Sequence, residues 1–298
     1  MIRRYNPSSS NQKDASLNTA YRSTEQGATL IVVLLFLVLI TLAGAIAVRQ
    51  SNTDLKLATS DQINTVLLQS SDSANQKLEM MVNSSPTSVA YKDVVSSAGV
   101  FGHFILDENN VTNEFIYCFN PRTVKYLTKN ATVKTPATPA SAGVEASPGG
   151  YWNGLNNGVC NYNTAGDYTS ARQTVMTQMS VTVTPRDPNA ERFGHVVLGK
   201  EIEDRTSKKF KFDIRASSAL PAYSEPKDSD DADGSCFAKT SIKANTEVGK
   251  NSLNECMLAA KTPSKMLYEQ ADVANLSSST ECIPFGKGSQ TGCVLATP

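Results

Sequence analysis

A long N-terminal helix packed on an antiparallel sheet, an α+β fold, is what this sequence predicts. Three observations lead there. An uncharged apolar run occupies Ala28–Val48. Behind it, apolar residues recur at helical spacing as far as Met81. Beyond Pro86 the chain turns to short β-branched and aromatic runs separated by turn residues.

The first element is a polar leader, residues 1–27, with Arg3, Arg4, Lys13 and Arg22 against Asp14 and Glu25. It ends on Gly27, and the apolar stretch begins at the next residue, Ala28. That order lets a protease on the cytoplasmic face remove the leader and keep the hydrophobic segment on the mature chain. An ordinary secretory signal discards its apolar region instead. Only Thr29, Thr41 and Gly44 interrupt Ala28–Val48. Its 21 residues make roughly 32 Å of helix against roughly 30 Å of bilayer hydrocarbon. Without charge or Pro, such a helix satisfies its own backbone in lipid. Basic leader residues on one side and Arg49 on the other favour a cytoplasmic N-terminus, with residues 50–298 on the far side. Three other readings compete: an uncleaved anchor, a buried helix of a soluble protein, and a Sec signal peptide. The last would be cut near Ala43-Gly44-Ala45 or Ala45-Ile46-Ala47.

The helix is expected to continue past the membrane. Ile63, Val66/Leu67, Ser70, Ala74, Leu78 and Met81 recur at spacings of three and four, with Ser, Asn, Asp, Gln and Lys between them. Asn83-Ser84-Ser85-Pro86 is the stop. The segment 28–85 therefore divides into a transmembrane part, 28–48, and an amphipathic part, 49–85.

At this point the residues resemble the type IV pilin-like superfamily, whose members carry a short leader ending in Gly before a hydrophobic helix. More narrowly, Gln26-Gly27-Ala28-Thr29-Leu30-Ile31-Val32-Val33-Leu34-Leu35 is similar to the start of PilX-type minor pilins. Ala47-Val48-Arg49-Gln50-Ser51 and Asp54-Leu55-Lys56-Leu57-Ala58 are similar to that subfamily too. The resemblance covers roughly residues 20–80. It implies a pilin-like fold, prepilin-peptidase cleavage between Gly27 and Ala28, and N-methylation of Ala28. The leader is longer than the handful of residues common in pilins.

One departure is informative. Most pilins carry Glu at the fifth mature position, where this chain has Val32. A carboxylate at the membrane centre costs about 2.5–3.5 kcal/mol on insertion scales. In pilins the acid is matched by the terminal amine of a neighbouring subunit. A subunit lacking the acid avoids the cost and loses that contact, which suits a position with no neighbour on the tip side. PilX-type minor pilins and the K-type minor pseudopilins of type II secretion share the absence.

Residues 86–298 are enough for one globular head with a loop insertion near 130–158. Strand-like runs are Asn113–Phe119, Thr174–Thr184, His195–Ile202 and Lys208–Ala216. Pro185-Arg186-Asp187-Pro188-Asn189 makes the turn between two of them. Phe210-Lys211-Phe212-Asp213-Ile214-Arg215 alternates as in a strand with one buried face. Thr132–Gly150, rich in Thr, Pro, Ala, Ser and Gly, reads as a flexible loop. It leads into the sole tryptophan, Trp152, expected to pack within its own surface loop. Exposed, it would be a partner contact.

Six cysteines follow the apolar segment: Cys118, Cys160, Cys236, Cys256, Cys282 and Cys293. An even count outside the cytoplasm without C-x-x-C reads as disulfides. Six allow 15 pairings, and sequence proximity alone favours Cys118–Cys160, Cys236–Cys256 and Cys282–Cys293. Residues 217–298, polar and short of core-forming strands, would gain most from such a disulfide-bonded C-terminal region.

The densest acidic cluster holds Asp228, Asp230, Asp231 and Asp233. Ser229, Asp231, Asp233 and Gly234 fit a calcium-loop register, but Thr240 stands where the final acid belongs. A solvated acidic loop is the competing reading. Enzymatic chemistry is not indicated: the two histidines, His103 and His195, lie outside any H-E-x-x-H, and there is no G-x-S-x-G or phosphate-binding glycine loop. The whole chain is neutral, and removing the leader leaves about −2, with no basic patch for nucleic acid. The expected role is a minor pilin priming assembly at or near the pilus tip. Its partners would be other minor pilins, the major pilin and a PilY-type tip adhesin. It would sit first in the bacterial inner membrane, head in the periplasm, and then in the pilus. A type II pseudopilin and a membrane-anchored periplasmic binding or sensing protein are the alternatives.

Overall fold

The computed structural model describes residues 25–105, 108–122, 127–137, 149–152, 157–184, 209–228, 234–242, 250–274, 283–287 and 291–292. Two compact units divide the chain, 1–61 and 62–298. The first helix, α1 (Glu25–Val82), runs through the boundary. With no Pro from Ala28 to Pro86, nothing removes a backbone donor from its ladder. It ends at the expected stop, where the Asn83 N–H still reaches the Glu79 carbonyl at 3.0 Å. The helix begins three residues before Ala28, so the Gly27–Ala28 junction lies in its first turn.

The unit 62–298 is built on a six-stranded antiparallel sheet. Its strands are β1 (Glu114–Cys118), β2 (Ala131–Thr135), β3 (Gly150–Tyr151), β4 (Met176–Val183), β5 (Lys209–Ala219) and β6 (Ser264–Ala274). They lie in the order β3-β2-β1-β4-β5-β6. A separate pair, β7 (Ile283–Pro284) and β8 (Thr291–Gly292), follows. Three short α-helices are α2 (Val89–Val95), α3 (Gly102–Ile105) and α4 (Leu253–Ala259), beside 3₁₀ turns such as Leu127–Asn130. Ser88 caps α2 by accepting the Tyr91 N–H, and Ser252 with Glu255 forms a capping box on α4.

Strand alternation gives the sheet two different faces. One carries Phe115, Tyr117, Val133, Met179, Val181, Phe212, Ile214 and Ala216, all buried. Ala74, Leu78 and Met81 of α1 join that core with residues of α2 and α3. The buried stripe on α1 is Leu67, Ser71, Ala74, Asn75, Leu78 and Met81. It differs from the expected one at its start: Ile63 and Ser70 are half-buried, and Val66 is exposed. The contact is partly polar there, because Ser70 meets the Thr177 hydroxyl at 2.7 Å and Ser71 donates to Ser218 at 2.8 Å. The opposite face carries Ile116, Cys118, Met176 and Ala219. A second cluster covers it, with Val159, Cys160, Tyr168, Cys236, Phe237, Leu253, Cys256 and Met257.

Several expectations are corrected. Thr132–Gly150 is not a loop throughout: β2 takes 131–135 into the sheet and its Val133 is fully buried. Nor is the region after 217 short of strands. It contributes the 11-residue β6, the helix α4, and Ile283 and Phe285 of the main core. β6 escapes a sequence reading because, as an edge strand, it carries polar residues on both faces. The expected strand His195–Ile202 and the turn Pro185–Asn189 lie outside the described residues.

Candidate functional site

From residue 29 to residue 62 every side chain is exposed within the chain. The apolar run is bare: Phe36 is 60% exposed and Ile40 69%. Water does not tolerate a contiguous apolar surface of this extent. A bilayer or a row of neighbouring helices does. The helix is long and apolar enough to cross a membrane. Its internal hydroxyl Thr41 donates to the Val38 carbonyl at 2.9 Å, so it brings no unsatisfied hydrogen-bond donor into hydrocarbon. Thr53 and Thr59 repeat the device beyond Arg49, donating to the carbonyls four residues back. Val32 lies on this bare surface, 52% exposed, one turn beyond Ala28. The arrangement can insert, and it can pack against other apolar helices.

The cysteines form a second feature. Cys118–Cys160 and Cys236–Cys256 are disulfides, the pairs that proximity favours. Both lie in the cluster behind the sheet: Cys118–Cys160 ties the covering layer to β1, and Cys236–Cys256 joins two parts of that layer, the turn at 236–238 and α4. Cys282 and Cys293 lie outside the described residues.

Of the acidic cluster, Asp228 is buried and ion-paired with Lys239. Its N–H donates to the Gly234 carbonyl at 3.0 Å, and the Lys227–Ser235 bridge closes the loop. Asp230, Asp231 and Asp233 lie outside the described residues. Among the described residues no group of three His, Cys, Asp or Glu side chains converges.

Two buried polar centres were not signalled by the sequence. Glu114 accepts from Ser180 Oγ at 2.5 Å, Thr240 Oγ1 at 2.6 Å, and Ser241 through both Oγ (2.6 Å) and N–H (3.0 Å). It fixes the 240–242 segment onto the sheet. His103 is ringed by Phe104 and Trp152, with the Asn113 amide 3.3 Å from its Nε2. Trp152 is therefore not confined to a surface loop. It is buried in the main core, and its backbone N–H donates to the Val133 carbonyl. His195 lies outside the described residues.

No protein-family model, curated protein or solved structure matches this chain.

Proposed function

We propose that this chain is a minor pilin, cut after Gly27, that primes a type IV pilus at or near its tip. One observation supports it above the others: the bare, uncharged helical surface starting beside Gly27–Ala28 belongs to the same continuous helix that packs on the sheet. A signal peptide has no need of that continuity, whereas a filament subunit uses one helix for both membrane insertion and assembly. The role is structural and non-catalytic, with other minor pilins, the major pilin and a PilY-type adhesin as partners. Val32 in place of an acid fits a subunit with no neighbour on the tip side.

The mass of the mature N-terminus tests the reading. Methylated Ala28 supports it. A chain beginning at Val48 would instead indicate a Sec signal, and one beginning at Met1 an uncleaved anchor carrying a binding or sensing head. The same missing acid suits a K-type pseudopilin. Loss of exoprotein secretion on deletion, with twitching motility intact, would favour that assignment.

A further inference from the structure

The two edges of the main sheet are treated differently. β3, at one edge, has 2 residues; β6, at the other, has 11 and pairs with β5 without a bulge from Ser264 to Ala274. Natural sheets blunt long edges with bulges, Pro, short strands or charged side chains, because an open row of N–H and C=O groups invites another strand; β6 has only the charges, Lys265, Glu269 and Asp272. Within β6 there is neither Pro nor bulge, and among the described residues nothing pairs with its outer side.

Tyr268 and Gln270 of β6 donate to Asp213, but other side chains of the strand lack a cross-strand match. Lys265 stands opposite Ser218 and Glu269 opposite Ile214, so neither charge meets an opposite one across the strand pair. Leu267 is only partly covered by the core, and Tyr268 is 54% exposed.

We propose that β6 pairs with β6 of a second copy of this chain, antiparallel and centred on Leu267. A two-fold axis normal to the sheet keeps each residue on its own face, so directly opposed residues must share a face. Centred on Leu267, Lys265 faces Glu269 of the second copy, and Glu269 faces its Lys265. Met266 meets Tyr268 twice, and Ser264 meets Gln270 twice. Sulfur–aromatic and unlike-charge cross-strand pairs are both favourable. No other centre along β6 opposes unlike charges: centring on Glu269 sets that acid against itself, and centring on Tyr268 sets Leu267 against Glu269. Read along this edge, Lys-Met-Leu-Tyr-Glu is complementary to its own reverse.

The axis reverses every direction in the plane of the sheet. Helix segments 62–82 on the two heads therefore run oppositely, and the contact is distinct from side-by-side packing in one filament. It stands or falls separately from the pilin reading.

Sedimentation equilibrium of the full chain in detergent micelles tests it, with Lys265→Glu and the swap Lys265→Glu/Glu269→Lys as variants. Wild type is expected to dimerise. Lys265→Glu, which creates two Glu–Glu oppositions, should weaken the dimer by about tenfold or more, and the swap should restore it. A photo-crosslinking residue at 267 should join two copies at that position, which keeps the test open if the swap folds poorly. A monomeric wild type, a dimer indifferent to Lys265→Glu, or no 267–267 crosslink would overturn the proposal.

Discussion

The carboxylate of Asp93, on α2, accepts the Thr128 hydroxyl at 2.6 Å and the Leu127 N–H at 2.5 Å, with no exposure to solvent. It caps the 3₁₀ turn Leu127–Asn130 that leads into β2. Burial raises its pKa to about 6 from 3.8, against the hydrogen bonds from Thr128 and Leu127, which lower it. The folded state thus holds this proton more tightly than the unfolded chain does. Asp93 contributes stability that is fully present below pH 4 and lost as pH rises through about 6. The difference amounts to roughly 3 kcal/mol, at 1.36 kcal/mol per unit. Chemical denaturation of wild type and Asp93→Asn between pH 4 and 7 measures it. Relative to the variant, wild type should lose stability across that window, and a constant difference would refute the assignment.

Gly158 sits where the disulfide-bearing loop crosses β2. A Cβ there would lie 2.1 Å from the Thr132 nitrogen and 2.2 Å from the Ala131 carbonyl carbon. Both obstacles are backbone, so Gly158→Ala must push the loop and Cys160 off the strand. A loss of about 1–3 kcal/mol or more is expected. Gly166 is the control, because its nearest neighbour would be the Thr164 methyl at 4.0 Å. Gly166→Ala should stay within about 0.5 kcal/mol of wild type. Thermal unfolding of the two variants side by side decides the point.

The expected pairing of Cys282 with Cys293 is testable by peptide mapping. Ile283 pairs with Gly292 and Pro284 with Thr291. Cys282 and Cys293 are the residues that flank the β7–β8 pair in the sequence. Peptide mapping under non-reducing conditions should recover Cys282 linked to Cys293, besides Cys118–Cys160 and Cys236–Cys256. A Cys282 peptide linked to any other cysteine would contradict it.

What could be read from the sequence divides along physical lines. The long helix was legible because an uncharged apolar run and a missing Pro are local facts. β1, β4 and β5 were legible because their inward faces are β-branched or aromatic, as in Phe210-Lys211-Phe212-Asp213-Ile214-Arg215. β2 and β6 were not. β2 draws its burial from Val133 and Ala131 amid Thr and Lys, and β6 keeps polar residues on both faces. Trp152 shows the same limit: its burial beside His103 depends on a backbone bond to Val133, a partner set by tertiary contact. The Glu114 centre gathers donors from residues 180, 240 and 241, a convergence that no spacing announces.

Val32 offers the sharpest test of the proposed tip position. It lies on the bare surface of α1, and the resemblance to pilins places an acid at that position in subunits that repeat along the fibre. Val32→Glu would make membrane insertion costlier, by less than the ~2.5–3.5 kcal/mol of a charge at a helix centre because residue 32 lies near one end of the apolar span. It would also supply the carboxylate that a neighbour's terminal amine can meet. If the missing acid confines this chain to the tip, the variant should still be cut after Gly27 but should spread along the filament shaft. Immunogold labelling of sheared pili reads the distribution directly. Labelling confined to the tip in both wild type and variant would mean that the globular head, not residue 32, sets the position. Label along the whole shaft in wild type would remove the tip assignment itself.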